Sequence, residues 1–140
     1  MPPHAVTLIR SSTLSDIAQY AYASTVSADA TMVFLAGACP LNDDGTVAAA
    51  GDYAGQAAKA IENMQVALAE AGATLTDVAS TRVLVASAER AHLVEAWEVV
   101  REAFGAHDAP STLLGVTVLG YEGQLVEIEA TAVVSRETSR

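Results

Sequence analysis

The run Leu125-Val126-Glu127-Ile128-Glu129-Ala130-Thr131-Ala132-Val133-Val134 constrains this chain more than any other segment. It is ten residues of mostly β-branched or small side chains without Gly or Pro, the pattern of a strand. Strand side chains alternate between faces. Val126, Ile128, Ala130, Ala132 and Val134 therefore share one face, and Leu125, Glu127, Glu129, Thr131 and Val133 share the other. The first face is core. The second carries two carboxylates where a strand ordinarily carries Val or Thr. Either that face is wet, or something there uses an acid.

The rest of the chain supplies a layer for the apolar face. Val6–Arg10 with Ala5 reads as a short strand, residues 18–26 as an edge strand and Thr31–Gly37 as a buried strand closed by Gly37 and Pro40. Asp44-Gly45 marks a turn. Asp52 is a good N-cap, Ala57, Ile61, Met64, Leu68 and Ala71 recur at helical spacing, and Gly72 supplies a stop. Val78–Val85 reads as a strand. Ser87 is a candidate cap for a second helix with Leu93, Ala96, Trp97, Val100 and Phe104 on one stripe, ended by Gly105 and Pro110. Thr112–Leu119 is a further strand and 120–123 a turn. The order implies an α+β fold: one mixed sheet with two helices on one face. Leu119, Leu125 and Val133 would give the far face apolar area, and self-association is the economical cover for it.

A length of 140 residues fits one domain, 1–140, on the usual scale of roughly 100–200 residues. The 17 acids outnumber the 7 bases, for a net charge of −10. The bases, Arg10, Lys59, Arg82, Arg90, Arg101, Arg136 and Arg140, are scattered. Nucleic-acid binding needs clustered Lys and Arg, so it is not expected. A single cysteine, Cys39, permits no intrachain disulfide. No signal-peptide pattern and no spanning apolar run is expected, and a cytoplasmic location with no membrane partner is the default.

Several chemistries have no motif here. There is no phosphate-binding Gly-x-x-x-x-Gly-Lys loop, no Gly-x-Gly-x-x-Gly turn and no Gly-x-Ser-x-Gly elbow. His4, His92 and His107 lack partners at metal-ligand spacing, so neither metal nor cofactor is expected. Cys39 has no neighbouring cation to activate it and reads as a small buried thiol. Glu127 and Glu129, about 7 Å apart along one strand face, are the candidates for chemistry. One of them as a general base competes with two solvated glutamates, or with glutamates that cap a neighbouring subunit's backbone.

Four segments together resemble the RidA/YjgF family of small trimeric proteins, best known as enamine/imine deaminases. Phe34-Leu35-Ala36-Gly37-Ala38-Cys39-Pro40 is similar to the family's Ser-Gly-Gln strand end. The segment Ala54–Gly72 resembles its helix, Asp77–Val85 its central strand, and Val126-Glu127-Ile128-Glu129-Ala130 its Glu-Ile-Glu-Ala signature. The resemblance implies a chorismate-mutase-like fold and a homotrimer with ligand clefts between subunits. It implies that Glu127 positions a water for attack on an imine carbon, that Gly37 offers backbone groups, and that Tyr20 lines the site. The family's substrate-binding arginine falls on Ser111 or Thr112, neither a cation, and the serine and glutamine beside Gly37 are replaced by Ala36 and Ala38.

A bidentate guanidinium is the natural clamp for a 2-imino acid. Without it, two functions stand. One is an enzyme acting on a less charged imine or enamine in a pocket of Glu127, Tyr20, Gly37, Ala38, Ser111, Thr112 and Leu114. The other is a non-catalytic small-molecule-binding or chaperone-like homotrimer. Arg82 is the alternative cation that would restore a carboxylate clamp.

Overall fold

The computed structural model describes residues 4–136. Its elements are β1 (Val6–Ile9), β2 (Ala23–Val26), β3 (Ala30–Phe34), α1 (Tyr53–Glu70), a 3-10 turn (Leu75–Asp77), β4 (Val78–Val85), α2 (Arg90–Phe104), β5 (Ser111–Gly115) and β6 (Val126–Ser135). β3, β6, β4 and β5 form a four-stranded sheet in that order. β6 runs antiparallel to both neighbours, whereas β4 and β5 are parallel. A parallel pair needs a long crossover, and α2 provides it.

β6 thus lies inside the sheet, and its alternation governs the packing. Val126, Ile128, Ala130 and Ala132 are buried against Ala57, Ala60, Ile61, Met64 and Leu68 of α1. Small side chains at Ala57 and Ala60, both fully buried, let the helix axis come close to the sheet. Asp52 caps α1 by accepting from the Gly55 N–H at 3.0 Å. The helix ends as Gly72 predicts. Its φ is +82°, and Gly72 N–H and Ala73 N–H donate back to Ala69 O and Leu68 O.

Several elements differ from the sequence reading. β3 stops at Phe34, β5 stops at Gly115, and β2 covers only Ala23–Val26, so Tyr20 lies in the preceding loop. Ser87 does not cap α2: Glu89 holds the cap position, and Ser87 Oγ instead accepts from the Glu89 N–H and meets His92 Nδ1. β1 and β2 form a separate two-stranded sheet. This hairpin covers part of the far face, because Ala5 and Val6 bury Val133. Leu119 and Leu125 are half-buried within the chain. The apolar groups left exposed on the far face are Met32, Phe34 and Leu114. Among the described residues no helix is long and apolar enough to cross a membrane.

Candidate functional site

Glu127 points to the face of β6 opposite α1, and the segment after β3 comes to meet it. Ala38 and Ile128 form an isolated antiparallel bridge, with Ala38 N–H donating to Ile128 O at 2.7 Å and Ile128 N–H to Ala38 O at 3.0 Å. Ala38 is buried on the helix side. The alternation then puts its neighbours Gly37 and Cys39 on the Glu127 side. Asn63 of α1 holds this segment by donating to Cys39 O and Leu41 O, both at 2.9 Å.

The Glu127 carboxylate lies directly over Gly37. A Cβ at position 37 would overlap Glu127 Oε2 and Cδ, so only glycine leaves the carboxylate that seat. The other oxygen, Oε1, takes two donors. Cys39 Sγ lies 3.3 Å away and Gln124 Nε2 3.1 Å away. Both donors are neutral. The thiol is held protonated: burial, then the hydrogen bond to Glu127 and its charge, push Cys39 up to about 11, against a smaller lowering by Gln124.

Gln124 is itself fixed. It is 4% exposed. Its Oε1 accepts from Tyr121 N–H at 3.1 Å, and its Nε2 also donates to Val126 O at 3.1 Å. The turn that carries it is tied to α1 by Gln56, which is fully buried. Gln56 Oε1 accepts from Leu125 N–H at 2.7 Å, and Gln56 Nε2 donates to Gly123 O at 3.1 Å.

Arg82 does not reach Glu127 as a partner. It lies opposite Glu129 in the β4–β6 register, and its Nη1 is 3.3 Å from Glu129 Oε1. Leu84 occupies the β4 position opposite Glu127. The cation nearest in sequence logic is therefore committed to the second glutamate.

The other sequence-derived site residues separate into groups. Gly37 adjoins Glu127, whereas Ala38, paired with Ile128, turns its side chain into the core and does not line the Glu127 side as the sequence reading expected. Thr112 and Leu114 lie in register with Arg82 and Leu84, on β5, one strand beyond β4. Ser111 turns to the opposite face and bonds Thr81 Oγ. Tyr20 packs edge-on against Trp97 and Tyr22, with ring centroids 6.1 and 6.0 Å apart. With Trp97, Ser111, Thr112 and Leu113 it lines an open hollow of about 420 Å³ at the β5 edge. A single chain thus keeps the Glu127 group and the Tyr20 group apart.

Two residues at Glu127 escaped the sequence reading. Cys39 has no cation beside it in the sequence; its partner is an acid, reached across an isolated bridge. Gln124 carried a local signal, an amide three residues before Glu127 at the entry to its strand. The three histidines stay dispersed: His4 lies near Asp77, His92 stacks on Tyr53, and His107 meets Val78 O. Among the described residues no group of three or more His, Cys, Asp or Glu could hold a metal ion.

A family profile described as Endoribonuclease L-PSP matches residues 12–134. No curated protein matches the chain. Among solved structures, YyfB of Yersinia pestis, described as a Rid-family protein of unknown function, is similar at 27% identity and a TM-score of 0.84, over 93% of this chain and 99% of that one. Rv2704 of Mycobacterium tuberculosis, a member of the YjgF/YER057c/UK114 family, is similar at 33% identity and a TM-score of 0.63, over 92% and 99%. The profile match, the α+β fold of its structural neighbours and the Glu127 signature strand agree: the chain belongs to the Endoribonuclease L-PSP family, the RidA/YjgF group of proteins.

Proposed function

We propose that the protein binds a small metabolite at Glu127 and hydrolyses an imine, or an enamine that tautomerises to one, without a carboxylate clamp. The single observation that carries this reading is the seated Glu127 carboxylate. Oε1 is taken up by Cys39 and Gln124, and Oε2 lies over Gly37. In the proposed reaction a water hydrogen-bonded to Glu127 attacks the imine carbon while the carboxylate accepts its proton. The C=N π electrons move to nitrogen, which takes that proton from Glu127 to give a neutral carbinolamine; the hydroxyl proton then passes through Glu127 to nitrogen as the C–N bond breaks, and a carbonyl compound and ammonia leave, with the carboxylate regenerated.

The charge around Glu127 sets the substrate class. Its hydrogen-bond donors are a neutral thiol and a neutral amide, and Arg82 is engaged by Glu129. Among the described residues, a substrate carboxylate facing Glu127 would have no unpaired guanidinium beside it to hold it. An uncharged or protonated imine suits the site better. A homotrimer belongs to the same proposal. Met32, Phe34 and Leu114 are exposed on the Glu127 side of the sheet, and a cleft between copies would join the Glu127 and Tyr20 groups.

The test supplies purified protein with 2-aminoacrylate and with uncharged imines, each generated by an enzyme in situ, and follows ammonia release. Turnover of an uncharged imine above the buffer rate, abolished in Glu127→Gln, is the expected result. No acceleration of any imine rejects the hydrolase reading.

The pairing of Arg82 with Glu129 favours a second reading, a ligand-binding protein without turnover. It predicts thermal stabilisation by a small ligand, lost in Glu127→Ala, with no product formed. RNA cleavage, the activity in the family's description, has little support here. The net charge is −10, and Arg10, Lys59, Arg82 and Arg101 are each paired with an acid.

A further inference from the structure

We infer that Gln124, with Cys39, is a positioning device that presents Glu127 Oε2 to the attacking water, an inference that rests on the hydrolase reading of the same site. A glutamate on a strand has three rotatable bonds, and an exposed one samples many rotamers. Glu127 is held through one oxygen and given space at the other. Gly37 gives Oε2 room at the backbone surface, and two donors fasten Oε1.

Gln124 suits the task because its amide has one workable orientation. Its oxygen must face the Tyr121 N–H, so its NH2 group must face the two acceptors, Val126 O and Glu127 Oε1. Turning the amide over would set oxygen against two oxygens and nitrogen against a donor. The support runs further back. Gln56 fastens residues 123 and 125 on either side of Gln124, so α1 is connected to the carboxylate through the turn.

The arrangement assigns the oxygens different work. Oε1 is saturated by donors from the protein, and Oε2 keeps lone pairs for a water. The charged and titratable groups around Glu127 come from each element packed there. They are Cys39 after β3 and the Arg82–Glu129 pair two register positions along β4 and β6, whereas the directly opposed Leu84 brings no charge. Among the described residues no cation competes with Gln124 for Oε1, so the amide and the thiol set its orientation.

The experiment uses the full chain. Gln124→Met keeps the side-chain length and removes its hydrogen bonds. Cys39→Ala removes the second donor, and Cys39→Ser restores one. In a crystal structure of Gln124→Met the Glu127 carboxylate is expected to have left Gly37. On an uncharged imine, kcat is expected to fall about ten- to a hundredfold while KM changes by less than about twofold. Cys39→Ala is expected to lower kcat, and Cys39→Ser to recover most of it. An unmoved carboxylate in Gln124→Met overturns the inference, as does a rise in KM with kcat intact. Where Gln124→Met does not fold, equal kcat in the two Cys39 variants overturns it. Absence of turnover in the wild-type protein rejects the hydrolase reading by itself, and the Glu127 position in the variant crystal structures then still decides this one.

Discussion

Cys39 Sγ sits 3.3 Å from Glu127 Oε1, so the only thiol of the chain donates to the carboxylate that the family signature marks. Each group explains the other's state. Burial, and after it the acid, keep the thiol protonated, and the thiol gives the acid a donor that brings no charge. A cation in place of either donor would neutralise the site.

Glu127→Gln is expected to make Cys39 more acidic. Burial of the thiol persists in the variant, whereas the hydrogen bond to a carboxylate and its charge are removed. The midpoint for alkylation by iodoacetamide against pH should fall from about 11 toward the ordinary thiol value. An unchanged midpoint would show that burial alone sets it.

The same shift predicts a limb of the stability curve. The folded-state value for Cys39 lies above its unfolded value of 9.0, so the native state binds the proton more tightly. That contribution is complete below pH 9 and is lost as pH rises toward 11. Urea midpoints at pH 8 and pH 10.5 should differ less in Cys39→Ala than in the wild type.

Gly37→Ala separates stability from site geometry. The atoms a new Cβ would meet are the mobile end of Glu127, not backbone. The cost to folding should stay near 1 kcal/mol, the size of a rotamer change. Cys39 should nevertheless lose its carboxylate partner and titrate lower, as in Glu127→Gln, and imine turnover should disappear.

Gln56→Leu is expected to behave in the opposite way. Its amide is fully buried and fastens Leu125 N–H and Gly123 O. Leaving those groups without partners should cost roughly 1–3 kcal/mol. A loss well below that in urea unfolding would mean that the turn re-forms its bonds elsewhere.

Arg82 and Glu129 are both well exposed, with side chains 56% and 42% accessible. A double-mutant cycle with Arg82→Met and Glu129→Gln should give a coupling below about 1 kcal/mol, weakened further by salt. A large coupling would indicate that a neighbouring subunit excludes water from the pair.

The two helices, β4 and β6 were legible because each obeys a local rule. Asp52 and Gly72 bracket α1 with a side-chain acceptor and a left-handed residue, and β6 alternates with period two through most of its length. The ends of β2, β3 and β5 were not legible, since short strands end where their pairing ends and no residue type marks that place. The covering of Val133 by Ala5 and Val6 brings together residues more than 120 positions apart, beyond the reach of any periodicity.

By itself the sequence determined that Glu127 and Glu129 share one face of a strand whose other face is core, because alternation is a property of the extended backbone. It also determined that no cation occupies position 111 or 112. Only the tertiary structure decided which partners each acid meets. The β4 register places Arg82 opposite Glu129, and the bridge between Ala38 and Ile128 carries Cys39 and Gly37 to Glu127. Pairing register is fixed by which side chains can be buried together across distant segments, and that choice gives one glutamate a cation and the other a thiol and an amide.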